Sequence, residues 1–293
     1  MAIDLLIVDG NALGHRAKHT TGTMKWSGEY TGVVYGFFTQ LFNILKKYNP
    51  KQTCFAWDSS ASLRKDIFPS YKEKRKLSKS LKSAEEKAFD RACYAQFYEI
   101  YEEIISAIGF TNNWKIKGYE GDDVIASICL SNKKATKVIA TSDNDMFQLL
   151  TRDEEIGIYD IRNKAHIGKY EFYKIYGIEA SQWKDVKCLA GCSGDEVPGI
   201  PGVAVPTAIK YLNGELKSSS KVFQRIESAE GKAIIERNRK LVVLPFAGTP
   251  KLKLEKDNID FTKMKSIFMD HGFGSLYSKD KFQEWKRLLG GNK

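Results

Sequence analysis

Three short apolar runs in the first half of the chain each lead into an aspartate, and this repetition restricts the fold more than any other feature. Leu5-Leu6-Ile7-Val8 ends at Asp9-Gly10, and Thr53-Cys54-Phe55-Ala56-Trp57 ends at Asp58. Val138-Ile139-Ala140-Thr141 delivers Ser142-Asp143-Asn144-Asp145. Short apolar runs bounded by turn residues read as strands buried on both faces, as in parallel sheets covered by helices. Helical patterns lie between them. Val34, Phe37, Phe38, Leu41, Phe42 and Leu45 recur at three- and four-residue spacing and stop at Asn49-Pro50, as helices do before proline. Ser83 and Glu86 form a capping-box pattern, opening a helix that could run to Ala107 with Gly109 as its stop. Residues 156–167 suggest a hairpin turning at Arg162-Asn163-Lys164. The fold expected is α/β, a mostly parallel central sheet flanked by helices. Past residue 168 the patterns are mainly helical, broken by Pro198, Pro201 and Pro206. The chain is therefore divided into residues 1–178, carrying the sheet, and a helical part, residues 179–293. Residues 214–220 and 245–258 read as surface loops.

In open parallel sheets, ligands bind beyond the carboxyl ends of the strands. Asp9, Asp58 and Asp143 would converge there, and Glu120, Asp122 and Asp123, at a helix start, could point to the same place. Any one of them alone reads equally well as a turn former or helix cap. Together they would repel one another strongly unless cations were present. Carboxylate oxygens suit hard cations such as Mg²⁺ or Mn²⁺. The chemistry such a cluster favours is phosphodiester hydrolysis with two ions about 4 Å apart. Competing site classes lack their signatures. There is no G-x-x-x-x-G-K-[ST] loop, no G-x-G-x-x-G after a strand and no G-x-S-x-G elbow. The first strand gives Asp9-Gly10-Asn11 rather than Asp-x-Asp.

Charge agrees with a polyanionic partner. The chain of 293 residues has a formal net charge of +10, which suits nucleic acid or a membrane surface. From Arg64 to Lys82 eight Lys or Arg stand against two acids. A run of that kind reads first as a solvated charged segment. No apolar stretch approaches the roughly 18 residues of a membrane span. The start, Met1-Ala2-Ile3-Asp4-Leu5, lacks a signal-peptide pattern, so a cytoplasmic protein is expected. The five scattered cysteines then read as free thiols rather than a disulfide framework.

These residues carry a resemblance. The ordered set Ile7-Val8-Asp9-Gly10, Trp57-Asp58, Glu120-Gly121-Asp122-Asp123, Thr141-Ser142-Asp143-Asn144-Asp145 and Gly191…Asp195…Pro198-Gly199-Ile200-Pro201-Gly202-Val203 resembles the flap endonuclease and 5′–3′ exonuclease family, its bacteriophage members above all. The resemblance implies a PIN-like nuclease domain, a basic helical arch at about 62–92 and a C-terminal helix-three-turn-helix. It implies a first metal site from Asp9, Asp58, Glu120, Asp122 and Asp123, and a second from Asp143, Asp145 and Asp195, with Mg²⁺ or Mn²⁺ in both. Tyr71-Lys72-Glu73-Lys74-Arg75 is similar to the family's arch pattern. Lys72 and Arg75 would there contact the scissile phosphate, and Tyr71 would stack on an unpaired base. Arg16, Lys18, Arg64 and Lys74 are expected on DNA. Gly199, Gly202 and Val203 would grip duplex phosphates through backbone amides, often beside a bound K⁺. On the pattern alone, that segment reads equally well as an ordinary Pro/Gly-rich turn.

The activity implied is 5′–3′ exonuclease and flap endonuclease cleavage of DNA at 5′ ends, flaps or forks, and of RNA primers in RNA/DNA hybrid, during phage-type replication or repair. The chain is expected to act as a monomer in the cytoplasm, the host's if phage-encoded, and away from membranes. Two departures stand out. The family segment Gly-Asp-x-x-Asp-Asn-x-Pro-Gly reads here Gly191-Cys192-Ser193-Gly194-Asp195-Glu196-Val197-Pro198-Gly199. Cys192 replaces a second-site carboxylate, and thiolate is a poor ligand for Mg²⁺, so the second ion is weakly held unless Glu196 compensates. Ala204 and Pro206 replace a family glycine and lysine in the duplex-gripping turn. A branched-DNA-binding protein with little catalysis and a PIN-type ribonuclease are the alternatives.

Overall fold

Each apolar run forms a strand, and the strands assemble with their acids at one edge. The computed structural model describes residues 3–74, 80–150 and 155–290. Along the chain the strands are β1 (Leu5–Asp9), a small hairpin of β2 (Lys25–Trp26) and β3 (Glu29–Tyr30), β4 (Gln52–Trp57), β5 (Asn113–Lys115), β6 (Lys137–Thr141), β7 (Ile156–Asp160), β8 (Ala165–Ile167) and a short pair of β9 (Gly191–Cys192) and β10 (Val197–Pro198). The six-stranded sheet has the order β5-β4-β1-β6-β7-β8. It is parallel except for the β7–β8 hairpin, which turns where the sequence placed it. The register sets Asp9 opposite Ala56 and Val8 opposite Ala140. Asp9, Asp58 and Asp143 consequently leave the sheet at the same edge.

The central strands are buried on both faces because their side chains alternate. Leu6 and Val8 pack with Leu13, Phe37 and Phe38 of helices Gly10–Thr21 and Gly32–Tyr48. Leu5 and Ile7 pack with Val124, Ile125 and Leu189 of helices Gly121–Ser131 and Trp183–Ala190. Helix Gly32–Tyr48 ends as read, with Asn49 left-handed at φ 42° and its N–H donating to the Leu45 carbonyl at 2.7 Å. The Ser83–Glu86 capping box forms and opens helix Ala84–Glu99. The helical run continues to Ile108, and Gly109 stops it as read, left-handed at φ 97°. A π-helical turn, Ile100–Ile104, is inserted before Ile105–Ile108. The wider turn frees backbone groups, and the Tyr101 carbonyl accepts from Asn113 Nδ2 at 2.8 Å.

The chain after residue 179 covers both faces of the sheet. Helices Trp183–Ala190 and Val205–Leu212 supply Leu189 and Ala208 to the second face. Helices Phe261–Asp270 and Lys279–Gly290 return to the first, where Phe268 meets Phe38 at 5.3 Å and Trp285 meets Phe42 at 4.9 Å between ring centroids. Among the described residues, no helix is long and apolar enough to cross a membrane.

His271, closing helix Phe261–Asp270, ties this return to the long helix. Its Nε2 lies 2.8 Å from Glu99 Oε1 and its Nδ1 2.8 Å from the Ile267 carbonyl. The Glu99 carboxylate, against some burial, raises the His271 pKa above the usual value. A raised folded-state value stabilises fully below the unfolded pKa of about 6.5 and is lost as pH rises through the folded one. Urea unfolding of Glu99→Gln is therefore expected to show a deficit against wild type below about pH 6.5 that closes at alkaline pH. A deficit independent of pH would contradict the pairing.

Candidate metal and nucleic-acid site

Asp9 caps helix Gly10–Thr21, accepting from the Ala12 N–H at 2.8 Å, while its other oxygen accepts from the Thr141 hydroxyl at 2.8 Å. The bland reading of Asp9 as a cap thus holds beside its place in the cleft. Asp58 is set by Asn11, whose Oδ1 accepts the Asp58 N–H at 2.8 Å, and by Gly121, whose N–H donates to Asp58 Oδ1 at 2.8 Å. Asp9, Asp58, Glu120, Asp122, Asp143 and Asp195 line one open cleft of about 280 Å³. Strand ends, a helix N-terminus and the β9–β10 turn, all far apart in sequence, supply them.

Charge crowding is visible in their proton affinities. Burial, with Asp58 adding repulsion, pushes Asp9 up to about 7. Burial, then Asp143 and Asp9, raises Asp122 well above the carboxylate range. Asp143 is also raised, by protein packed around it and by Asp145, although solvent still reaches it. Glu120 behaves oppositely. Burial alone would raise it, but Lys72 and Arg64 outweigh that and hold it below its usual value.

The chain's own cations sit among these acids. Lys72 Nζ lies 2.8 Å from Glu120 Oε2 and 3.4 Å from Asp195 Oδ1. The Tyr71 hydroxyl donates to Glu120 Oε2 at 2.9 Å and to Asp195 Oδ2 at 3.2 Å. Lys187 Nζ stands 2.5 Å from Asp145 Oδ1, a charge contact rather than an aligned hydrogen bond. Cys192 Sγ donates to Asp145 Oδ2 at 3.5 Å, and burial raises this thiol's pKa, keeping it protonated. Among the described residues, no three acidic, histidine or cysteine side chains are drawn together around one point as an ion would require.

Several sequence expectations need correction. Asp123 does not face the cleft. It is fully buried, its two oxygens bound by Arg64 at 2.7 and 2.8 Å, and Oδ1 also accepts the Phe246 N–H at 2.8 Å. Arg64, expected on DNA, is 2 % exposed and completes its hydrogen bonding on the Leu241 carbonyl at 2.7 Å. Tyr71 is not a base-stacking platform here, because its ring is buried with Cys188, Cys192, Val197 and Leu241. Lys18 is engaged by Asp90, which also binds Lys82 Nζ at 2.5 Å, and lies over the Tyr94 ring. Glu196 does not replace the carboxylate missing at Cys192; its Oε1 accepts the Lys74 N–H at 2.6 Å. Arg75 lies outside the described residues. Arg16 is half-buried and Lys74 exposed.

The expected arch begins with a short helix, Arg64–Ile67, and its far limb is helix Ala84–Glu99. The turn expected to grip duplex DNA lies between helices Trp183–Ala190 and Val205–Leu212. Gly199 is required there because a Cβ would come 2.2 Å from the Ala190 carbonyl carbon, and Gly202 takes φ +82°. Val203 is buried, so only its backbone can face a partner. The Pro198 carbonyl accepts from Arg237 at 2.7 Å and from Asn238 at 3.0 Å, and the Pro201 carbonyl accepts from Arg225. Sequence reading gave no site role to Asn11, Thr141, Lys187 or the cleft-lining Arg162, and only their distant partners reveal one.

Comparison with known proteins bears on family and fold. Residues 4–177 match the family described as "5'-3' exonuclease, N-terminal resolvase-like domain". The 5'-3' exonuclease of Mycoplasmopsis pulmonis is 30% identical over 228 residues, covering 76% of this chain and 70% of that protein. DNA polymerase I of Mycobacterium leprae is 28% identical over 261 residues, 82% of this chain but 27% of the polymerase, so the chain spans about a quarter of that relative. In fold it is similar to a bacteriophage T5 flap endonuclease solved as a pseudo-enzyme–product complex with DNA and metal ions, at a TM-score of 0.70 and 19% identity over 98% of both chains. The match over most of the sheet-bearing part, together with the Mycoplasmopsis relative, establishes that the chain belongs to the 5′–3′ exonuclease family.

Proposed function

We propose that this chain is a structure-specific 5′ nuclease that hydrolyses phosphodiester bonds in DNA at 5′ ends and flaps, using a divalent cation, Mg²⁺ or Mn²⁺. The observation that carries this reading is the convergence of acids from separate elements on one open cleft, with Lys72 of the basic segment among them. Its donors are carboxylate oxygens, the set that hard cations prefer. Asp9, Asp58, Glu120 and Asp122 would hold the ion, with Asp143 bordering it. A divalent ion held there supplies Lewis-acid activation of water and neutralises phosphate charge. Asp123 instead serves the fold by fixing Arg64.

The remaining residues bind and orient. Lys72, now on Glu120 and Asp195, is placed to turn its ammonium to the scissile phosphate and stabilise the charge developing there. Arg75 keeps the same assignment from sequence. Backbone N–H groups of the Gly199–Val203 turn would hold duplex phosphates without reading sequence. Arg16 and Lys74 add charge along the path. RNA primers in hybrid with DNA fall within the same chemistry. The reading is of a monomer in replication or repair, in a cytoplasm where its five cysteines remain free thiols. A branched-DNA-binding protein with weak catalysis is the second reading, favoured by Cys192 beside Asp145.

Cleavage of a 5′-flap DNA with Mg²⁺ or Mn²⁺ separates the two. Wild type is expected to cut, and Asp122→Asn to lose about 100-fold or more in rate while still retaining flap DNA on a gel. Intact binding without metal-dependent cleavage in the wild type would leave the binding-protein reading. For Asp123→Asn the expected loss is in stability, about 3–5 kcal/mol in urea unfolding, because Arg64 would be left buried without its counter-charge. Its Mn²⁺ affinity should match that of wild type, and a large affinity loss in the folded variant would return Asp123 to the ligand set.

A further inference from the structure

The acidic cleft has an inner recess, and its chemistry differs from that of the open part. Asp122, Asp145, Asp195 and Glu120 reach into a space of only about 10 Å³ shared with Tyr71. That volume is close to one water molecule. The open part, about 280 Å³, is lined by Asp9, Asp58 and Asp143 as well as by Glu120, Asp122 and Asp195, but not by Asp145. A second hard cation using Asp145 would have to reach the recess, where the oxygens of Asp145 are already taken.

Lys187 Nζ lies 2.5 Å from Asp145 Oδ1, and the Cys192 thiol donates to Oδ2 at 3.5 Å. Lys187 is not a loose surface lysine. Its side chain is 15 % exposed, and its ammonium lies 5.5 Å from the centre of the Trp183 ring, one turn back on the same helix. Trp183 is itself buried and anchored by Nε1 donating to the Asn144 carbonyl at 2.8 Å. Asn144 adjoins Asp145, so the anchor holds helix and acid together. Asp195, which also lines the recess, carries Lys72 and Tyr71.

We infer that Lys187 takes the charge-balancing place of a second cation, so that the cleft binds one divalent ion, on the Asp9–Asp58–Asp122 side. Resting on the metal reading proposed above, the inference makes Lys187 a positioning residue. It fixes Asp145 and lends positive charge to the inner end of the cleft. The charge balance needs Lys187 and Cys192 together. A carboxylate at position 192 would add an anion, and a neutral residue at 187 would release Asp145.

Mn²⁺ titration of the intact chain by calorimetry, with bound ion counted by electron paramagnetic resonance, tests this without reference to activity. Wild type is expected to bind one Mn²⁺ per chain. Cys192→Asp alone should still bind one, since Lys187 keeps Asp145 Oδ1, and Lys187→Arg should also bind one. Lys187→Met combined with Cys192→Asp should gain a second ion, its affinity rising by about tenfold or more. Circular dichroism confirms that each variant is folded, and the wild-type count stands whether or not the double variant folds. Two ions in the wild type would overturn the inference alone. A folded double variant that still binds one would do the same. No ion at all in the wild type would overturn the metal reading itself, and the inference with it.

Discussion

Carboxylates crowd one edge of the parallel sheet, and their mutual repulsion must be offset wherever the chain folds. The offset comes from three cations delivered by distant segments. Lys72 serves Glu120 and Asp195, Lys187 serves Asp145, and Arg64 forks Asp123 behind the cleft. Asp9, Asp122 and Asp143 hold their protons more tightly than ordinary carboxylates, burial and neighbouring acids being the causes. A cluster under this strain gains from a divalent ion, because the ion replaces repulsion between carboxylates with attraction to a common centre. Folding and ion binding therefore draw on the same groups.

The basic segment is part of this balance. Tyr71 and Lys72 seat its base among the acids, and Lys72 holds a left-handed backbone at φ 57°, unusual for a residue with a side chain, while its N–H donates to the Asp195 carbonyl at 3.1 Å. Strained backbone of this kind persists where surrounding contacts over-determine it. Here those contacts are the very carboxylates that an ion would claim. An ion entering the cleft and a phosphate approaching Lys72 would loosen the same anchor from its two sides, which links both to the seating of Tyr71 and Lys72.

The sheet and the strand-end acids were legible because short continuous apolar runs and an acid after each run are both local signals. Asp9, Asp58 and Asp143 needed nothing beyond neighbouring sequence to be placed at one edge. Asp123 was not legible. Successive helix residues point about 100° apart, so Asp122 faces the cleft while Asp123 faces Arg64, 59 residues earlier. Tyr71 misled in the same way. It stands in a run of lysines and arginines, yet its ring lies with Cys188, Val197 and Leu241, over a hundred residues later. The helix expected to end at Gly109 does end there, but the π-helical turn at Ile100–Ile104, whose Tyr101 carbonyl accepts from the distant Asn113, carried no local signal. What sequence alone could not supply in each case was the partner across the fold.

The central claim is that the strand-end acids form a cation site whose resting counter-charges are the protein's own. Anomalous diffraction from crystals of the wild-type chain grown with Mn²⁺ tests it most directly. One manganese peak is expected between Asp9, Asp58 and Asp122, with Lys72 displaced from Glu120 and Lys187 still on Asp145. No peak in the cleft, or an ion bound away from these carboxylates with Lys72 unmoved, would contradict it.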